Sequence, residues 1–177
     1  MTRFSFFCIL VAALFLSRMV LAQTNESKIN TPTTQNANDQ DSLDIQQLME
    51  TFHTAVISHD GSALSSLFVQ DGSAWFNVLS DSAYAGAKAK SETAMKIRKS
   101  DYRDFAKFVS TTKDNLDPRH SNIQIRSDGT IASVYFDFVF LINGKEENSG
   151  SETWQLVKGS TGWQIAAISY SSNPHMK

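Results

Sequence analysis

One carboxylate in this sequence, that of Asp137, lies within an apolar stretch, where a charged side chain requires a chemical or structural explanation. Asp137 is placed between two phenylalanines in the middle of a long apolar stretch, and Tyr135 shares its side of the predicted strand. A carboxylate held among aromatic side chains can serve as a general base. In the alternative, Asp137 lies on the outer face of a sheet and pairs with Arg126 or His120 on the neighbouring strand. The direction in which this strand faces therefore decides between the two interpretations.

The four histidines of the sequence offer a second kind of chemistry. His53 and His120 are candidates for a pair with a carboxylate, but their spacing places neither beside one. The sequence contains no HxH, HxxxH or HExxH pattern, and so it predicts no metal site. It also contains no phosphate loop, dinucleotide fingerprint or GxSxG motif, and we expect no cofactor. The catalytic candidates are Asp137, His53 and Tyr84.

The first 22 residues have the pattern of a secretory signal peptide. A basic residue, Arg3, precedes an apolar run of about 13 residues, shorter than the roughly 20 that a membrane-spanning helix requires. Val20 and Ala22 supply suitable residues at positions −3 and −1, and we expect cleavage after Ala22. Arg18 lies between the apolar run and this site, which leaves an uncleaved N-terminal anchor as the alternative.

Cleavage would change the chemistry of the chain. It removes Cys8, the single cysteine, so that the mature chain has neither a disulfide nor a thiol. Export without disulfides is typical of a bacterial envelope and predicts a periplasmic or secreted protein, with no membrane segment once the signal is removed. Cleavage also removes two of the 16 basic residues, which leaves 14 against 18 acidic ones and a net charge of −4. This charge disfavours nucleic acid as a partner.

Composition divides the remaining chain in two. Residues 23–41 are rich in Asn, Gln, Thr and Ser, and such a segment buries too little apolar surface to offset its ordering entropy. We therefore expect a disordered linker over 23–41. Residues 42–174 have the length of one ordinary domain.

Helical periodicity is prominent in the first half of this domain. A continuous apolar stripe predicts a helix over 43–58, with Asp41 or Ser42 as its cap. Asp60 is placed to cap a second, short helix. Residues 74–79 are predicted to form a strand, and helices are expected over 87–98 and 102–110.

The second half of the domain alternates with a period of two. Strands are predicted over 120–126, 131–142, 152–158 and 163–171, with the residues around 143–150 forming a flexible lip. In the first strand, alternation puts Ile123 and Ile125 on one face and His120 on the other. In the second, we expect the phenylalanine-rich face to pack on the helices. Antiparallel strands preceded by helices predict an α+β domain with a sheet covered on one side.

The order of elements resembles the superfamily named for nuclear transport factor 2, in particular its SnoaL-like and ketosteroid-isomerase-like bacterial branches. The resemblance covers nearly all of residues 43–172. The residues that carry it are Phe52…Asp60…Leu64…Leu67-Phe68…Asp71, then Gly129…Ala132-Ser133-Val134, and most clearly Trp154-x-Leu156-Val157-Lys158…Gly162-Trp163-x-Ile165.

The resemblance implies a curved antiparallel sheet wrapped around the long N-terminal helix, the cystatin-like roll, with a cavity at its open end. Members of the superfamily commonly form dimers through the outer sheet face, which here includes Tyr135, Val139 and Leu141. Some members are isomerases or dehydratases, which use a carboxylate or a His–Asp pair in the cavity together with a tyrosine. The residues expected to line the cavity are Phe52, His53, Val56, Trp75, Tyr84, Phe138 and Trp154.

These observations lead to three functional hypotheses. If the phenylalanine-rich face of 131–142 points inward, Asp137 points outward, and binding of a small, largely apolar molecule is favoured over catalysis. The second hypothesis is an isomerase or dehydratase that uses Asp137 or His53 with a tyrosine. The third is a dimeric module that binds partners and whose cavity is vestigial.

Overall fold

The computed structural model describes residues 39–174, which form one mixed sheet covered on its inner face by helices. The helices are α1 (Asp39–Ile57), α2 (Gly61–Ser66), α3 (Asp81–Lys90) and α4 (Tyr102–Thr111). The strands are β1 (Ala74–Leu79), β2 (Ile97–Ser100), β3 (Leu116–Ser127), β4 (Ile131–Ile142), β5 (Lys145–Gly159) and β6 (Gly162–Ser172).

The sheet is curved and open, with the strand order β2-β1-β6-β5-β4-β3. Strands β3 to β6 form an antiparallel meander, whereas β1 pairs in parallel with β6. The predicted α+β roll with a long N-terminal helix is confirmed.

Helix α1 lies in the core, with its apolar stripe against the sheet. Its buried residues recur at helical spacing, from Ile45 to Val56, as the sequence predicts. The helix begins at Asp39, earlier than expected, so Asp41 is part of the helix and does not cap it. Asp41 is 3% exposed and accepts hydrogen bonds from Lys158 Nζ (2.8 Å) and Ser127 Oγ (3.3 Å). These contacts fix the first turn of α1 to the sheet, so residues 39–41 belong to the helix and not to the predicted linker.

Helices α2 and α4 begin directly after their N-terminal capping residues. Asp60 caps α2 by accepting a hydrogen bond from the Ala63 backbone at 2.8 Å, as predicted, and Asp101 caps α4. The helix predicted over 87–98 is wrong. Ser80 caps α3, which ends at Lys90, and residues 97–100 form the edge strand β2 against β1. Pairing with β1 outweighs the helical propensity of this Lys-rich stretch.

A bulge in β3 reverses the expected facing of its first half. The register with β4 shifts between Ser121 and Gln124, and Asn122 adopts a positive φ of 54°. Before the bulge, His120 faces inward, and after it Ile125 does, whereas Ile123 is 43% exposed. Simple alternation had placed His120 opposite the isoleucines. The one extra residue of the bulge brings His120 and Ile125 to the same face.

Strand β4 faces as expected, with Val134, Phe136 and Phe138 buried. The predicted flexible lip is not found, because β5 begins at Lys145. Asn143 and Gly144 form a tight hairpin turn with φ values of 52° and 75°, the conformation that Asn-Gly favours.

The predicted signal peptide, residues 23–38 of the predicted linker and His175 lie outside the described residues. Among the described residues, no helix is both long enough and apolar enough to span a membrane.

Candidate functional site

An aromatic cavity lies between helices α1 and α4 and the inner face of the sheet. Its volume is about 190 Å³, and a dry apolar cavity of about 150 Å³ is enough to hold benzene. Six of its lining residues are aromatic rings other than histidine. The cavity is lined by Phe52, Trp75, Phe105, Pro118, His120, Phe138, Phe140, Asn148, Glu152 and Tyr170.

The aromatic walls of the cavity are packed against each other. Phe105 of α4 stacks on Phe52 with ring centroids 6.3 Å apart and meets the edge of Trp75 at 5.4 Å. Across the cavity, Phe138 meets Tyr170 edge to face at 5.7 Å. Such pairs hold the rings in defined positions, so the cavity is part of the folded core and does not depend on a ligand to form.

Glu152 is the one carboxylate among the residues that line the cavity. It lies on β5 two residues before Trp154, on the same face, and accepts a hydrogen bond from Trp154 Nε1 at 2.5 Å. Burial raises the pKa of the Glu152 carboxyl to about 7, although this hydrogen bond lowers it. Among the described residues, Glu152 has no salt-bridge partner. A carboxyl group in such surroundings can hold or release a proton near neutral pH.

Tyr170 of β6 pairs with Glu152 across the sheet. Its hydroxyl accepts a hydrogen bond from Asn77 Nδ2 at 2.8 Å, which leaves its own hydrogen free for donation. Burial is the main cause that raises the pKa of Tyr170, and the charge of Glu152 raises it further. Tyr170 therefore stays protonated and can act as a donor. Trp75 Nε1 is also buried, with no hydrogen-bond partner among the described residues.

His120 separates the cavity from a second, open groove on the outside of α1. Its ring lies 4.6 Å from that of Phe136, and burial, assisted by the charge of His53, lowers the His120 pKa to about 4. His120 is thus neutral at physiological pH. His53 lines the groove and not the cavity, and its Nδ1 donates to the Pro118 carbonyl at 2.7 Å.

The structure places the predicted site residues in several surroundings. Phe52, Trp75 and Phe138 line the cavity. Trp154 is fully buried behind it, where it orients Glu152, and Val56 belongs to the core below. The remaining predicted residue, Tyr84, lies on α3, away from the cavity, where Lys88 packs over its ring.

Asp137 does not reach the cavity. Because the phenylalanines of β4 face inward, Asp137 faces outward, where it accepts hydrogen bonds from Asn122 Nδ2 and Ser151 Oγ, both at 2.8 Å. These bonds lower its pKa. The outward position is the structural alternative considered above, with Asn122 and Ser151 in place of Arg126 or His120. None of the three predicted catalytic candidates, Asp137, His53 and Tyr84, lines the cavity.

Sequence reasoning missed Glu152 and Tyr170. A signal for Glu152 was present, since the alternation of β5 puts it on the face of the core residue Trp154. For Tyr170, the inward position depends on pairing with β1, which sequence does not reveal. In the described part of the chain, no cluster of three or more His, Cys, Asp or Glu side chains is placed to hold a metal ion.

No protein-family model matches this chain, and no curated protein matches its sequence. Solved structures do match it. A nuclear transport factor 2-like protein of unknown function from Pseudomonas putida KT2440 is 13% identical, with a TM-score of 0.58 over 79% of this chain and 98% of that one. A protein of unknown function with a cystatin-like fold from Nostoc punctiforme is 14% identical, with a TM-score of 0.57 over 80% and 97%.

A third match is a putative dehydratase of the nuclear transport factor 2-like family from Streptomyces avermitilis. It is 16% identical, with a TM-score of 0.56 over 78% of this chain and 99% of that one. The chain therefore has the nuclear transport factor 2-like, or cystatin-like, fold, and the predicted resemblance to that superfamily is confirmed at the level of the fold.

Proposed function

We propose that this domain binds a small, largely apolar molecule in the aromatic cavity, with its polar end at Glu152 and Tyr170. The observation that carries the proposal is a preformed cavity with aromatic walls and a few converging polar groups, which is the usual construction of a small-molecule site. Trp75 Nε1 and the Tyr170 hydroxyl supply hydrogen-bond donors that have no acceptor among the described residues.

Acetophenone is a suitable probe, since it combines a ring with one acceptor oxygen. Its addition is expected to shift the indole N–H resonance of Trp75 in an ¹⁵N NMR spectrum. Trp163 is an internal control, because its Nε1 is equally buried and unpartnered but the residue does not line the cavity. The proposal would be contradicted if the Trp75 and Trp163 resonances shifted equally, or if neither resonance shifted.

A matched pair of variants locates the probe. Phe140→Trp adds volume inside the cavity and is expected to weaken acetophenone binding at least about tenfold. Phe108→Trp makes the same exchange at a 38% exposed position that does not line the cavity and should leave binding unchanged.

Proton transfer is a second candidate function, favoured by the Glu152 pKa of about 7 beside a tyrosine with a free hydrogen. The nuclear transport factor 2-like protein from Streptomyces avermitilis described as a putative dehydratase supports a reaction of this kind. In D₂O, the sample with acetophenone gives a second readout, the exchange of the methyl protons of the probe. If the domain catalyses proton transfer, exchange should be faster than in buffer, and Glu152→Gln should abolish the increase. Exchange at the buffer rate would contradict catalysis and would support binding without catalysis.

We also propose that the mature protein is exported and forms a homodimer. The pattern of residues 1–22 supports export. The exposed side chains of Ile131 (59%) and Tyr135 (46%) on the outer sheet face support dimerisation through that face. Leu141 is already buried and adds little to this surface. Secreted material should begin at Gln23 and sediment as a dimer. A chain that starts at Met1 contradicts the export proposal, and a monomer contradicts the dimer.

A further inference from the structure

We propose that the ligand of the aromatic cavity is a cation: a small apolar molecule with an amine or quaternary ammonium group, held by the Glu152 carboxylate and the surrounding rings. This inference rests on the proposed binding function and adds the charge of the ligand. It is independent of whether the domain catalyses a reaction.

The charges around the cavity favour a cation. Within residues 39–174, its lining contains one carboxylate and neither lysine nor arginine. The other titratable groups that face the cavity are His120 from β3 and Tyr170 from β6, both neutral at pH 7. Arg98 of β2 and His53 of α1 lie outside the lining and act on Tyr170 and His120, respectively. An anionic ligand would meet no opposite charge, whereas a cation would meet Glu152.

The hydrogen bonding of Glu152 leaves room for a cationic donor. A carboxylate accepts several hydrogen bonds through its two oxygens, and in the described part of the chain Glu152 accepts one, from Trp154. Burial of a carboxylate with so few partners is costly unless a positive charge joins it. A protonated amine of a ligand would supply that charge together with further donors, and a quaternary ammonium group would supply the charge alone.

The aromatic lining suits the same ligand. The cavity contains the rings of two residues from helices and four from strands, and their faces carry the negative end of the ring quadrupole. Rings gathered around a cation stabilise it, and this is how quaternary ammonium groups are recognised in proteins. The rings contributed by the lining are those of Phe52, Phe105, Trp75, Phe138, Phe140 and Tyr170.

Three benzyl compounds, of which the cation and the uncharged one have nearly the same shape, test the charge of the ligand. These are benzyltrimethylammonium, the uncharged neopentylbenzene, and the anion phenylacetate, each titrated at pH 8 by NMR with the Trp75 indole as the reporter. The cation is expected to bind at least about tenfold more tightly than the uncharged probe. Below pH 7 its affinity should fall by up to about tenfold for each pH unit, because protons then compete for Glu152.

Calorimetry gives a readout that hydrophobic binding alone would not change. At pH 7, about half of the Glu152 side chains carry a proton, and binding of a permanent cation should release it. Titrations in two buffers of different ionisation enthalpy are expected to show a release of about half a proton for each benzyltrimethylammonium bound.

Glu152→Gln is expected to remove the preference for benzyltrimethylammonium over neopentylbenzene. Asp137→Asn is the matched control: it removes the same charge from the outer face and should alter neither affinity. Tighter binding of neopentylbenzene or phenylacetate would overturn the cation inference, while the proposed binding function would stand. Failure of all three probes to bind would overturn the inference, and failure of acetophenone as well would overturn the proposed function.

Discussion

Glu152→Gln is expected to make the unliganded protein more stable at pH 8, by roughly 3 kcal/mol in the free energy of unfolding. The reason is that burial raises the pKa of Glu152 from 4.5 to about 7. Above pH 7 the folded protein must hold an unpaired carboxylate among aromatic rings. Glutamine has nearly the same shape, can still accept the hydrogen bond of Trp154 Nε1, and carries no charge.

The sign of the pH dependence follows from proton binding. Between pH 4.5 and 7, Glu152 is protonated in the folded chain and ionised in the unfolded chain. The unfolded state therefore binds fewer protons, and the contribution of Glu152 to stability is present below pH 4.5 and lost as pH rises to 7.

His120 acts in the opposite direction over part of this range. Its pKa is lowered from 6.5 to about 4, so the unfolded chain binds more protons between these values and stability rises with pH. The contributions of Glu152 and His120 therefore largely cancel between pH 4.5 and 6.5. The effect of Glu152 is measured cleanly only as a difference between the wild type and Glu152→Gln.

Urea unfolding of both proteins from pH 4.5 to 8 measures this difference. The free energy of unfolding of the variant should exceed that of the wild type by an amount that increases up to about pH 7 and is constant above it. Asp137→Asn is the control, because Asp137 has a lowered pKa and a hydrogen-bonded outer position. A pH-independent difference between the wild type and Glu152→Gln would refute the raised pKa.

Gly61→Ala should destabilise the fold by roughly 3 kcal/mol or more. Gly61 begins α2 where this helix crosses α4, and a Cβ atom there would overlap the Ala106 carbonyl and Ser110 Oγ. The carbonyl belongs to the backbone of α4 and cannot rotate away. The helix-forming advantage of alanine, at most about 1 kcal/mol, is too small to offset this overlap.

The same substitution at Gly159 provides the control. A Cβ atom at Gly159 would lie 3.4 Å from the flexible amide end of Gln164, an ordinary contact. Gly159→Ala should therefore change the urea midpoint little. Since α4 carries Phe105, Gly61→Ala is also expected to disturb the cavity, detected as a change in the Trp75 indole resonance. Equal stability of the two alanine variants would show that α2 and α4 are not tightly packed.

The loss of folding stability expected from the Glu152 carboxylate bears on the function of the site. The predicted stabilisation by Glu152→Gln, once measured, would mark Glu152 as a place where stability has been exchanged for function. Asp41 shows the contrast, because its buried carboxylate is joined to Lys158 Nζ at 2.8 Å. Glu152 has no such partner among the described residues, and we expect a ligand to supply one.

Features that depend on neighbouring residues could be predicted from the sequence alone. The apolar stripe of α1, the Asp60 cap and the alternation of β4 follow from local periodicity and hydrogen bonding, and all three are found. The alternation of β4 also decided that Asp137 and the phenylalanines could not both face inward. These local patterns, with the Trp154–Ile165 motif, were enough to indicate the fold.

The composition of the site, in contrast, depends on tertiary contacts. The bulge at Asn122 brings His120 inward, and the parallel pairing of β1 with β6 places Asn77 against Tyr170. Both depend on contacts between residues far apart in the chain, which the local pattern does not encode. Glu152 lay on a face that could be read from the sequence. Its raised pKa could not be predicted, because burial is set by the six rings that five separate elements bring around it.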